Sequence, residues 1–222
     1  MGKTILTPTQ HKFLESIKKF PEITRWFYFT GGTALAEFYL HHRLSEDIDL
    51  FSTSQVNDQK IDYYLKELTP KLLVKSITKD HISGLFVYKL KFSNGDELKV
   101  DFNEYPHEVV EQSNLHIGDL KVDSFYDIAI NKAYTITGRF KVRDFIDLYF
   151  ILKKDEFSLE QLLNRISDKF GVNVDQIYFA SQLLRASDLT KDIPKMLMPF
   201  DFDEMVEFYK KLAKKLGSKV LK

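Results

Sequence analysis

Asp47 and Asp49, separated by Ile48 and followed by Leu50-Phe51, are the side chains in this sequence best suited to chemistry. On an extended segment side chains alternate, so the two carboxylates share one face about 6–7 Å apart while Ile48 and Leu50 turn toward a core. Such a pair can converge on divalent cations, because Mg²⁺ is a hard ion that takes oxygen ligands and commonly keeps substrate phosphates among them. Upstream stand Gly31, Gly32 and Thr33. The glycines let the backbone approach another group closely, and Thr33 is placed to cap a helix whose unpaired N–H groups attract anions. Phosphate-cradling glycines followed by a carboxylate pair are the parts needed for metal-assisted phosphoryl or nucleotidyl transfer. Taken singly, a Gly-Gly turn or an Asp-x-Asp segment is more often a plain turn or a pair of solvated acids. Their order gives the reading its weight: an aromatic strand Phe27 to Phe29, a tight turn, a helix, then a strand.

The elements around this stretch follow from spacing. Thr7-Pro8 opens a helix whose Phe13, Leu14, Ile17 and Phe20 recur at helical intervals and which ends near Pro21. Residues 55–69 predict a second amphipathic helix closed by Pro70, and Lys71 to Thr78 a strand. Leu85 to Phe92 and Glu97 to Tyr105 form a hairpin, because Asn94-Gly95 between alternating segments is a strong hairpin signal. In its second arm Leu98, Val100 and Phe102 share one face, and Lys99, Asp101 and Asn103 the other. Asp101 is therefore a third carboxylate for the sheet face that carries Asp47 and Asp49, against the plainer reading of a solvated hairpin residue. Leu115 to Val122 reads as one more short strand.

From about residue 124 the pattern is almost wholly helical. A helix from Phe125 to Thr137 carries Lys132 on its apolar stripe, and a buried lysine needs an anionic partner unless its amine reaches water. A second helix, about Lys141 to Lys154, sets Asp144 and Asp147 three apart on one face. Ser158 to Gln161 is a capping-box pattern that opens a helix stopping at Gly171, and Asn173 to Ala186 reads as another. Asp201 or Asp203 starts the last helix. Between Phe208 and Lys222 there are six lysines and no acids, read as a solvated terminus rather than a backbone-binding arm for nucleic acid.

GGTALA and RLSEDIDLF resemble the nucleotidyltransferase fold of the DNA polymerase β superfamily, and more narrowly the AbiEii/AbiGii toxin-type nucleotidyltransferases of toxin–antitoxin and phage-defence systems. Two further stretches carry the likeness. Lys132 with Thr135 and Arg139 resembles the family's motif of a lysine with downstream threonine and arginine, and Lys141-x-Arg143-Asp144-x-x-Asp147 resembles its basic-x-basic-Asp-x-x-Asp motif. Lys141 stands where the family often has arginine, which weakens any bidentate phosphate fork there. The resemblance implies an α+β fold: a mixed β-sheet flanked by helices over residues 1–123, then a C-terminal helical bundle over 124–222 that packs against the sheet domain and completes the site. It implies Mg²⁺ or Mn²⁺ on Asp47, Asp49 and Asp101, with an NTP as donor. Gly31, Gly32, Thr33, Arg43, Ser45, Arg139 and Asp147 would hold the nucleotide, and Lys132 and Asp144 would join the three carboxylates as catalytic residues. It further implies a cellular acceptor, either tRNA or protein, and a cognate antitoxin.

Composition sets the outer bounds. The 222 residues suffice for a sizeable core, and 32 Lys+Arg against 32 Asp+Glu give no bulk charge to advertise nucleic acid. No cysteine is present, so disulfides and thiolate metal sites are excluded. The N-terminal residues lack the apolar core of a signal peptide and no run of ~18 apolar residues occurs, so a cytoplasmic protein is expected. Two other classes of function compete: a catalytically silent nucleotide-binding or regulatory module on the same fold, and a metal-dependent phosphoester hydrolase. A silent module need not keep three carboxylates, and the hydrolase would want histidine ligands where His41 and His42, adjacent in a helix, face apart.

Overall fold

The structure, a computed structural model, describes residues 4–18 and 20–220. The chain divides into two compact units, with the boundary along the sequence between Ser124 and Phe125. The first unit is built on a mixed seven-stranded sheet in the order β3-β4-β5-β2-β1-β7-β6. The strands are β1 (Tyr28–Thr30), β2 (Ile48–Ser52), β3 (Val74–Ile82), β4 (Leu85–Phe92), β5 (Glu97–Glu104), β6 (His116–Ile117) and β7 (Leu120–Val122). β2 runs parallel to β5 and β1 parallel to β7, while the other neighbours are antiparallel. Period-two alternation decides the faces: Ile48 and Leu50 of β2, and Leu98, Val100 and Phe102 of β5, are buried.

Helix α1 (Pro8–Ile17) opens with a full capping box, in which Thr7 Oγ1 accepts from the Gln10 amide and Gln10 Oε1 accepts from the Thr7 amide. Phe13, Leu14 and Ile17 are its buried face. A short α2 (Pro21–Thr24) leads into β1, and α3 (Gly31–Leu35) runs directly into a π-helical turn, Ala36–Leu40. α4 (Asp58–Leu72) passes through Pro70 instead of stopping there. Proline removes one backbone donor, but here it lies in the last turn, where burial of Leu68 and Leu72 keeps the helix against the core. The chain turns only at Leu73, in the left-handed region at φ 59°, so Lys71 and Leu72 belong to the helix and β3 begins at Val74. Two hairpins exceed the sequence-based expectation. Ser83 and Gly84, both at positive φ, join β3 to β4, and a turn through Gly118 splits the expected Leu115–Val122 strand into β6 and β7.

The second unit is helical: α5 (Phe125–Gly138), α6 (Val142–Lys153), α7 (Leu159–Phe170), α8 (Gln176–Leu184) with a 3₁₀ turn Arg185–Asp188, and α9 (Phe202–Val220). α7 carries the expected capping box at Ser158 and Gln161 and ends at Gly171. α8 is shorter than expected because Asp175 caps it, accepting from the Tyr178 amide. Asp201 likewise accepts from the Glu204 amide at the start of α9. Tyr209 of α9 is fully buried, meets Phe145 edge-on at 5.6 Å, and donates its hydroxyl to the Phe145 carbonyl. On the outer face of α9, Lys210, Lys211, Lys214 and Lys215 are exposed, as a solvated basic terminus would have them; Lys222 lies outside the described residues.

A buried ion pair joins α5 to α7: Lys169 Nζ lies 2.5 Å from Asp127 Oδ1, and both side chains are almost wholly shielded from solvent. Removing one member of such a pair strands the other charge. Lys169→Met is therefore expected to destabilise the protein by about 3–5 kcal/mol, and Asp127→Asn/Lys169→Met to recover most of that loss. Urea unfolding of the three proteins checks it, and a double variant as unstable as the single one would refute the account.

Candidate active site

The site in the sheet unit is organised by what the two glycines make room for. Gly31 has φ +76°, a conformation that side chains resist, and a Cβ there would stand 2.0 Å from Asp49 Oδ2. A Cβ on Gly32 would stand 2.6 Å from Arg43 Nη2 and 3.3 Å from Ser45 Oγ. The close approach expected of these glycines is thus made first by the protein's own side chains: the Asp49 carboxylate against Gly31, and the Arg43 guanidinium against Gly32. Arg43 is buried, and its Nη1 donates to the Leu44 carbonyl at 2.9 Å.

Thr33 does not cap α3. Thr30 holds the N-cap position, and Thr33, the third residue of the helix, turns its hydroxyl to the loop that precedes β2. There it donates to the Asp47 carbonyl and lies 2.8 Å from Ser45 Oγ. The Gln10 side chain, buried at the first turn of α1, donates to the Ser45 carbonyl at 2.8 Å. A side chain facing the helix's own first turn would satisfy one amide; facing the loop, Thr33 instead fixes the backbone that carries Asp47. His41 and His42 do not sit in a helix either. His41 leaves the π-helical turn at φ 50°, with its amide and Nδ1 both against the Ala36 carbonyl.

The carboxylates meet through strand register. Parallel pairing of β2 with β5 sets Asp49 beside Asp101, and antiparallel pairing of β1 with β2 sets Thr30 on the other side of Asp49. Side chains paired across neighbouring strands point to the same face. Asp101 is buried, not the solvated hairpin residue of the plainer reading. Asp47 lies one residue before β2 begins. Lys99, two residues before Asp101 on the same face of β5, donates to Asp101 Oδ2 at 2.6 Å and to Asp47 Oδ2 at 3.3 Å. Burial disfavours the ammonium, but the hydrogen bond and charge of Asp101, with those of Asp47, outweigh it and hold the Lys99 pKa above the ordinary lysine value. Alternation in the sequence had put Lys99 on this face; nothing there gave it a partner.

Oxygen-only donors of this kind suit Mg²⁺ or Mn²⁺ and suit soft metals poorly. Among the described residues no three acidic or imidazole side chains are yet gathered closely enough to hold a metal. Asp47 and Asp101 are instead drawn to the Lys99 ammonium.

The helical unit contains a second charged cluster. Lys132 Nζ lies 2.9 Å from Asp144 Oδ1 and 2.7 Å from Asp147 Oδ2, and both carboxylates are buried on α6. Arg139 Nε lies 3.2 Å from Asp144 Oδ2. The anionic partner required by a lysine on a buried stripe is therefore this pair of aspartates, and their face is not the solvated one that such spacing usually marks. Gly31, Gly32, Thr33, Arg43, Ser45, Asp47, Asp49 and Asp101 form one connected group in the sheet unit, and Lys132, Arg139, Asp144 and Asp147 another in the helical unit.

Likenesses to known proteins bear on what these groups belong to. An Aquifex aeolicus (strain VF5) protein, the uncharacterized aq_aa25, is 27% identical over 192 residues, 85% of this chain and 86% of its own. JHP933 from Helicobacter pylori shares the fold at a TM-score of 0.57 and 18% identity, covering 95% of this chain and 90% of that one. MenT4, the nucleotidyltransferase toxin Rv2826c of Mycobacterium tuberculosis H37Rv, shares it at a TM-score of 0.56 and 16% identity, covering 92% and 81%. The family described as nucleotidyl transferase AbiEii toxin of type IV toxin–antitoxin systems matches residues 12–214, taking in both charged groups. With that match over most of its length, the chain belongs to the AbiEii nucleotidyl transferase toxin family.

Proposed function

We propose that the protein transfers a nucleotide from an NTP to a hydroxyl of a cellular acceptor, tRNA being the acceptor we favour, in a reaction that depends on Mg²⁺ or Mn²⁺. The acceptor hydroxyl gives up its proton, for which Asp101 would be the base, its oxygen attacks the α-phosphorus, the bond to the bridging oxygen breaks, and pyrophosphate leaves with the electron pair. The observation that carries this reading is the pairing of Asp49 with Asp101 in register, with Asp49 seated against Gly31. Asp47, Asp49 and Asp101 would hold the cation, which when bound supplies positive charge to phosphate oxygens. Gly31, Gly32 and Thr33, at the start of α3, and Arg43 and Ser45 beside them, would receive the triphosphate, with the guanidinium as its cationic contact.

Within the helical unit Asp144 and Asp147 hold Lys132 to one orientation, and Lys132 and Arg139 are the residues to which we assign charge stabilisation on phosphate. Family membership supports a cognate antitoxin as partner. A place in phage defence and a cytoplasmic site of action complete the proposal. Among the described residues no helix is long and apolar enough to cross a membrane.

Label transfer tests it. With Mg²⁺, each α-labelled NTP in turn, and total tRNA or cell lysate, label is expected on RNA with the wild type. Asp49→Asn is expected to transfer at least ~100-fold less, since it removes a charge that only the transition-state assembly uses fully. Label on protein would move the acceptor class, and absence of label despite NTP binding would favour the silent nucleotide-binding module. Gly31→Ala is a second test. Its Cβ would stand 2.0 Å from Asp49 Oδ2, so the carboxylate must leave its seat, and the added side chain is strained at φ +76°. We expect transfer to fall as far as in Asp49→Asn, with stability lowered by about 1–3 kcal/mol; Gly31→Ala with wild-type activity would refute this account of the seat.

A further inference from the structure

Lys99 has no role in the scheme above, yet it touches two of the three carboxylates that the scheme gives to the metal. Its Nζ stands 2.6 Å from Asp101 Oδ2 and 3.3 Å from Asp47 Oδ2. The arrangement is built by the backbone. Lys99 and Asp101 are two apart on β5 and share a face, Asp101 is in register with Asp49, and Thr33 fixes the Asp47 backbone. An ammonium with two carboxylates makes hydrogen bonds near 3 Å, whereas Mg²⁺ binds oxygen at about 2.0–2.1 Å and demands near-octahedral directions. Carboxylates aimed at the ammonium are not aimed at a metal, and two cations at one site repel. The lysine side chain is about one-third exposed, so it can swing toward solvent without opening a void in the core.

We propose that Lys99 is an internal counter-ion of the metal site, which holds Asp47 and Asp101 together in the metal-free protein and which a divalent cation must displace. The inference rests on the metal-dependent reading given above. Lys99 thereby lowers affinity for the free cation. A cation arriving with a triphosphate would meet less opposition, because the displaced ammonium then has phosphate oxygens within its reach as new partners. The lysine couples metal binding to nucleotide binding and disfavours occupation of the site by metal alone.

The test is Mn²⁺ binding to the full chain without nucleotide, followed by the electron paramagnetic resonance signal of free Mn²⁺. Lys99→Met is expected to bind Mn²⁺ roughly tenfold more tightly than wild type, since a repelling charge a few ångströms from the ion has been removed. Lys99→Arg, which keeps the charge, is expected to stay within about twofold of wild type. Metal-free Lys99→Met should also melt at a lower temperature than wild type and gain more on adding Mn²⁺, because one cation that offsets the repulsion between its carboxylates is gone. Unchanged or weaker Mn²⁺ binding in Lys99→Met, with the variant folded, overturns the counter-ion role while leaving the metal site intact. Mn²⁺ that binds wild type and Asp49→Asn alike lies elsewhere, and that result overturns the metal-dependent reading itself. Failure of wild type and Lys99→Met alike to bind Mn²⁺ without nucleotide overturns the counter-ion role, and failure of both to bind it with an NTP added as well overturns the metal-dependent reading.

Discussion

Two carboxylates held about 4 Å apart at an effective dielectric of 20 repel by roughly 4 kcal/mol, and burial adds a desolvation cost for each. A protein that gathers aspartates for chemistry has to offset this wherever it does so. Here the solution recurs. Lys99 bridges Asp47 and Asp101, Lys132 bridges Asp144 and Asp147, and Lys169 neutralises Asp127. In each case a flexible stem brings one ammonium to acids held by the backbone, and the acids are more deeply placed than the lysine that reaches them in both bridged clusters. A lysine suits this use because its point charge can be shared between oxygens of different direction, where an arginine fork would impose its own plane.

The second constraint is steric. Asp49 is held where it is because Gly31 has no side chain, and Arg43 because Gly32 has none. The start of α3 is therefore lined by a carboxylate and a guanidinium laid against bare backbone. Thr33 and Gln10 then pin the loop into β2 by hydrogen bonds to Ser45 and Asp47, so the position of Asp47 is set from two separate helices. None of these contacts is strong alone. Together they limit how far the aspartates can drift from one another.

Much of this was legible in the chain. The alternation of Ile48 to Ser52 and of Leu98 to Phe102 predicted which residues are buried, and the Asn94-Gly95 turn predicted the hairpin that delivers Asp101. The register of β2 with β5 was not legible, since pairing between distant strands leaves no local mark; only the resemblance to a family suggested that Asp101 joins the other two. Thr33 was misread because a threonine near a helix start has two uses, and the choice between them depends on the loop that packs above it. Pro70 was misread because tertiary burial of Leu68 and Leu72 outweighs one lost hydrogen bond. For Lys99 and Lys132 the sequence supplied the correct face but not the partner, because long side chains reach contacts that periodicity does not encode.

The parallel pairing of β2 with β5 has a consequence for how the protein comes into being. Asp49 and Asp101 are separated along the chain by α4 and the whole β3–β4 hairpin, and β1 waits still longer for β7. Contacts between such distant segments form late, after local hairpins and helices. A ribosome-bound chain that has emerged only through α4 already holds Gly31, Asp47 and Asp49 but has no third carboxylate to set beside them. For a member of a toxin family, the three carboxylates can thus be brought together only once synthesis has passed β5.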